Sequence, residues 1–104
     1  MNLMNMDNDL IKKSLDNSEL KITVVGLGKV GLPLALVFAD HGYAVKGVDI
    51  NQKAVELLNK GILSYFEPKV PELLKRCIEN GRFKAITDST EAAKDSDVII
   101  MVVP

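Results

Sequence analysis

Six consecutive residues, Gly26-Leu27-Gly28-Lys29-Val30-Gly31, place three glycines at the spacing GxGxxG. Glycine at these places strips the Cβ atoms from a short turn, so an anionic group can approach backbone N–H donors directly. Gly26 permits the tight turn, Gly28 clears the approach of a pyrophosphate, and Gly31 lets the following helix pack closely. The N–H groups near Lys29 and Val30 would face the phosphates, aided by the positive end of that helix. Eighteen residues beyond Gly31 stands Asp49, an acid able to accept hydrogen bonds from ribose hydroxyls. A phosphate cradle followed by a ribose acceptor is the chemistry of dinucleotide binding.

A bare GxGxxG is weak, and its weight comes from the elements around it. Lys21–Val25 is a short β-branched run ending at Gly26 and reads as a buried strand. From Val30 to about Asp40 the pattern is helical, with Gly42 just past its end. Pro33 fits only a first helical turn, so the helix must begin just after Gly28. Ala44–Asp49 is a second strand, which puts Asp49 at a strand end. There the acid would repel a 2′-phosphate, and no arginine follows within several residues to accommodate one, so NAD is favoured over NADP. Lys53 is the nearby cation and reads as a solvated helix residue.

Farther along, Asn51 can N-cap a helix running to Lys60, with Gly61 closing it. Residues 62–69 form a loop. Pro71 suits the start of a helix on which Val70, Leu73, Leu74, Cys77 and Ile78 share one apolar face. Asn80-Gly81 marks a turn before a third strand, Phe83–Thr87. Asp88 with Glu91 resembles a capping box, and Val98–Val103 is a fourth strand whose unbroken apolar character suits a sheet covered on both faces. Strands alternating with helices predict an α/β fold: a Rossmann-type parallel sheet of about four strands with flanking helices and right-handed crossovers. Residues 1–19 read as a flexible leader, with Leu10, Ile11 and Leu15 as a short apolar stripe, and residues 20–104 as the nucleotide-binding domain.

The 104 residues suffice for one small domain. Thirteen basic against fourteen acidic side chains, with no block of like charge, exclude a nucleic-acid or anionic-membrane surface as the expected partner. No apolar run is long enough for a membrane span, and no signal peptide is recognisable. A single cysteine excludes an internal disulfide and a multi-cysteine metal site, so no metal is expected and a reducing, cytoplasmic setting fits.

Beyond the generic motif, GLGKVGLPLALVFADHGYAVKGVDIN resembles the N-terminus of the UDP-glucose/GDP-mannose dehydrogenase family. Asn59-Lys60-Gly61 with Glu67-Pro68 and the closing SDVIIMVVP are similar to the same family. The resemblance covers residues 21 to 104. Gly31-Leu32-Pro33 and Glu67-Pro68 are its most specific parts, and DINQKAV is nearest the UDP-N-acetylmannosamine branch. By position it implies Gly26, Gly28, Lys29, Val30, Gly31 and Asp49 as NAD contacts. The sequence departs from the family at Lys29, where tyrosine is usual, and at Lys69, where glycine is usual.

The resemblance implies oxidation of the C6 alcohol of a UDP-sugar to a carboxylate with two NAD, in nucleotide-sugar metabolism that feeds polysaccharide biosynthesis. The family does this through a cysteine thiohemiacetal with lysine, asparagine and aspartate helpers, which fall past residue 104. No catalytic residue is therefore assigned, and this polypeptide alone is expected to be inactive. The family's sheet order places strand one between strands two and four. With no fifth strand, Val98–Val103 would be an uncovered edge, and a homodimer is the expected assembly.

Cys77, on an apolar helix face, reads as a small hydrophobe rather than a nucleophile. His41 reads as a helix C-terminal residue rather than a general base. Tyr65 and Phe66 are read as capping the core, with the cofactor cleft as the alternative. Two rival functions remain open: another dehydrogenase with the same front half, acting on a hydroxyacid or 3-hydroxyacyl-CoA, and a non-catalytic nucleotide-sensing module.

Overall fold

The computed structural model describes residues 20–65 and 67–102. The leader, with its Leu10, Ile11 and Leu15 stripe, lies outside the described residues, as do Phe66, Val103 and Pro104. The elements in order are β1 (Lys21–Val25), α1 (Gly31–Asp40), β2 (Ala44–Val48), α2 (Gln52–Asn59), α3 (Val70–Glu79), β3 (Phe83–Ile86), α4 (Ser89–Lys94) and β4 (Val98–Met101). They form one parallel sheet in the order β3-β2-β1-β4, with β1 between β2 and β4 as expected.

Boundaries follow local chemistry. The Asn51 side chain accepts from Ala54 N–H at 3.1 Å and caps α2. Asp88 accepts from Thr90 and Glu91 N–H at 2.9 and 3.2 Å, and no bond returns from the Glu91 side chain, so only the N-cap half of the expected box is made. His41 follows α1 with Nδ1 2.8 Å from the Val37 carbonyl, the helix-terminal role expected of it. β2 and β3 each stop one residue short of expectation, at Val48 and Ile86.

Right-handed crossovers moving from β1 to β3 put their helices on one face, and the return to β4 puts α4 on the other. The first face carries the core: Ile22, Val24, Val45, Phe83 and Ala85 from the strands meet Leu32, Ala35, Leu36, Val55, Leu58, Val70, Leu74 and Cys77. Leu32, Leu36 and Leu74 are fully buried, each worth about 2 kcal/mol of apolar transfer. The face of α3 read from the sequence is the buried one, and Cys77 sits in it, its thiol donating to the Leu36 carbonyl at 3.6 Å.

The second face is thinner. Thr23 is buried beneath α4, its hydroxyl bonded to Ser96 Oγ and donating to the Ala92 carbonyl. β4 departs from the expectation of a strand covered on both faces. It is the edge strand expected from the sheet order, and Val98, Ile99 and Met101 are exposed on it because no element among the described residues lies beyond it.

Candidate nucleotide site

At the carboxyl ends of β1 and β2 the chain turns sharply, and the sheet opens there because β1 is followed by β2 on one side and β4 on the other. Such switch points are where open α/β sheets bind ligands. Gly26 adopts φ +98°. An added Cβ there would stand 2.7 Å from the Val102 carbonyl oxygen, so a side chain is excluded by both conformation and space. The turn is pinned at both ends, by Gly26 N–H to the Val48 carbonyl at 2.8 Å and by Val102 N–H to the Val25 carbonyl at 2.9 Å.

Gly31 begins α1 directly against this turn. A Cβ at Gly31 would overlap the Gly26 carbonyl oxygen, so the close approach is of helix to turn as much as helix to sheet. The first helical bond runs from Leu32 N–H to the Gly28 carbonyl at 3.1 Å, which matches the start inferred from Pro33. No acidic residue occupies the first turn of α1, so the helix supplies no acid of its own to its positive end. Gly28 is exposed, and a Cβ built on it meets nothing within 4 Å: the space above it is open to a ligand.

All six residues expected from the sequence line one cleft of about 380 Å³: Gly26, Gly28, Lys29, Val30, Gly31 and Asp49, joined by Val102. Val102 escaped the sequence reading because its apolar type signals only a strand; its place becomes visible once β4 is seen beside β1. A second cleft of about 380 Å³ shares Asp49 and Gly26 and is lined also by Ile50, Thr87 and Ser89. Ile50 is 95% exposed there, an apolar surface uncovered among the described residues.

Asp49 holds the backbone around the cleft. Its Oδ2 accepts from Leu27 N–H at 3.1 Å and its Oδ1 from Asn51 N–H at 3.0 Å, so the half-buried carboxylate fixes the glycine turn and the start of α2 together. Tyr65 takes the core-capping role. It packs against the core, and its hydroxyl donates to the Gly28 carbonyl at 3.4 Å. Burial, then the nearby Glu67 carboxylate, raises its pKa, so the hydroxyl stays a donor through the neutral range. Lys53 is exposed on α2, as expected.

Cys77 lies away from the cleft, and burial raises its thiol pKa, with Asp40 acting in the same direction and Arg76 against it. Among the described residues no cluster of three His, Cys, Asp or Glu could hold a metal, and no helix is long and apolar enough to cross a membrane.

The sequence profile of the UDP-glucose/GDP-mannose dehydrogenase family, NAD binding domain, matches residues 20–104. UDP-N-acetyl-D-mannosamine dehydrogenase of Pyrococcus horikoshii is 39% identical over 84 residues, 81% of this chain and 20% of that protein. The structure of a ternary complex of GDP-mannose dehydrogenase from Pseudomonas aeruginosa superposes with a TM-score of 0.77 at 35% identity, over 80% of this chain and 19% of the other. The UDP-N-acetyl-mannosamine dehydrogenase of Staphylococcus aureus gives a TM-score of 0.73 at 43% identity, over 81% and 19%. The chain thus spans about a fifth of the length of the relatives it matches.

Proposed function

The chain belongs to the UDP-glucose/GDP-mannose dehydrogenase family, as its NAD-binding domain, and on that premise we propose how it holds NAD and what it serves. The pyrophosphate lies over Gly28, held by N–H groups of the Gly26–Gly31 turn at the start of α1, and Asp49 receives the adenosine ribose hydroxyls. The adenine extends into the cleft beside Ile50, Thr87 and Ser89. The observation that carries this reading is the convergence of all six residues on one cleft whose glycine carries open space instead of a side chain.

The domain serves a nucleotide-sugar 6-dehydrogenase that oxidises the C6 hydroxyl of a UDP-sugar to a carboxylate with two NAD, in a cytoplasmic route toward polysaccharide. The relatives named for UDP-N-acetyl-D-mannosamine support that sugar class. NAD, when bound, supplies hydride acceptance at its nicotinamide; the residues described here bind and orient it. The fully buried Cys77 offers no nucleophile for the sugar. Relatives named as nucleotide-sugar dehydrogenases weigh against the hydroxyacid and nucleotide-sensing alternatives. The exposed apolar residues of β4 support a homodimer joined along that edge.

The test is a titration of NAD and NADP against the wild type and Asp49→Asn, which keeps a hydrogen-bond acceptor for Leu27 N–H. The wild type should prefer NAD by about tenfold or more, and the variant should narrow that ratio toward one. Equal wild-type affinity for the two cofactors would remove Asp49 from the ribose.

A further inference from the structure

The cleft carries two opposite charges, and one is out of place unless an anion sits beside it. Lys29 is exposed in the turn that starts α1 and lines the cleft. A cation at a helix N-terminus faces the positive end of the dipole and is disfavoured there. Nothing on its own element compensates: three and four residues on stand Leu32 and Pro33, and the first turn of α1 holds no acid. The two ion pairs among the described residues, Lys46–Asp95 and Arg76–Asp40, leave Lys29 out. Asp49 lines the same cleft and brings a negative charge to it, its two oxygens committed to Leu27 and Asn51 N–H groups.

We propose that the Lys29 ammonium is a counter-ion to the dinucleotide pyrophosphate, offsetting the repulsion from Asp49 and adding a side-chain contact to the backbone cradle. This inference rests on the reading of the cleft as the NAD site. It makes cofactor affinity depend on ionic strength, since an exposed ammonium–phosphate attraction is screened within about 10 Å at 0.1 M salt.

The experiment measures NAD and ADP-ribose affinity by calorimetry for the wild type, Lys29→Met and Lys29→Arg, in low salt and in about 0.5 M salt. Lys29→Met should weaken both ligands about tenfold in low salt, the gap should shrink to about twofold in high salt, and Lys29→Arg should keep wild-type affinity. A structural role for Lys29 would instead weaken binding equally at both salt concentrations. That result, or an unchanged affinity in Lys29→Met while the wild type binds NAD, overturns the counter-ion alone. A wild type that binds neither ligand overturns the reading of the cleft itself.

Discussion

At the β3 edge of the sheet the Asn59 amide exchanges two bonds with one residue: its Nδ2 donates to the Ala85 carbonyl and its Oδ1 accepts from Ala85 N–H, both at 2.8 Å. At the opposite edge no strand among the described residues pairs with the outer side of β4, and Val98, Ile99 and Met101 stay 39, 48 and 71% exposed. At one boundary a side chain pairs with Ala85 as a neighbouring strand would. The other keeps its backbone groups and apolar side chains available for pairing. The contrast separates what the domain stabilises by itself from what it offers to something else, and it shows why Asn59 stands in a stretch otherwise legible only as family resemblance.

The contrast is broken most directly at Asn59. Replacing it with alanine removes two hydrogen bonds from the closed edge and should lower unfolding free energy by about 2 kcal/mol, read by urea denaturation. An Asn59→Ala protein as stable as the wild type would mean that water replaces the amide without cost.

The open edge is sharpened by charge. Wild-type protein should show concentration-dependent dimerisation in light scattering, and Ile99→Lys with Met101→Lys should weaken it at least about tenfold while leaving NAD affinity unchanged. A wild type that is monomeric across the series would remove β4 as a homodimer edge.

The smallest effect belongs to the packed α1–α3 interface on the closed side. Burial holds the Cys77 thiol neutral above its ordinary 9.0, so its contribution is complete below about pH 9. It declines as pH rises further, because the unfolded chain ionises first. Against Cys77→Ala, whose small cavity cost does not vary with pH, the wild type should lose less than about 1 kcal/mol more between pH 8 and pH 10. A pH-independent difference would show that the thiol is not held neutral.

The alternation of strand and helix was legible because each element carries its own period and stops: β-branched runs, Pro33 and Pro71 near helix starts, and Asn51 and Asp88 as caps. The glycine turn and Asp49 were legible as a candidate site because dinucleotide binding demands residue types that serve little else at that spacing, and they do line one cleft. Val102, Ile50, Thr87 and Ser89 were not, since an apolar or hydroxyl side chain says nothing about which chain passes beside it. The same limit hid Asn59, whose partner lies 26 residues away, and the Thr23–Ser96 pair under α4, 73 residues apart. Local pattern determines elements, whereas long-range partners become known only when the sheet order is known.

Asp49 couples two properties that a redesign would want to vary separately. Because its carboxylate also anchors Leu27 and Asn51, any attempt to retarget the site toward a 2′-phosphorylated cofactor by exchanging the acid for a small or basic residue slackens the glycine turn in the same stroke. With Asp49 as the proposed ribose acceptor, cofactor preference at this position would be epistatic with loop rigidity. A successful switch must first supply the turn with a substitute acceptor, and neutral drift through single substitutions at Asp49 is correspondingly restricted.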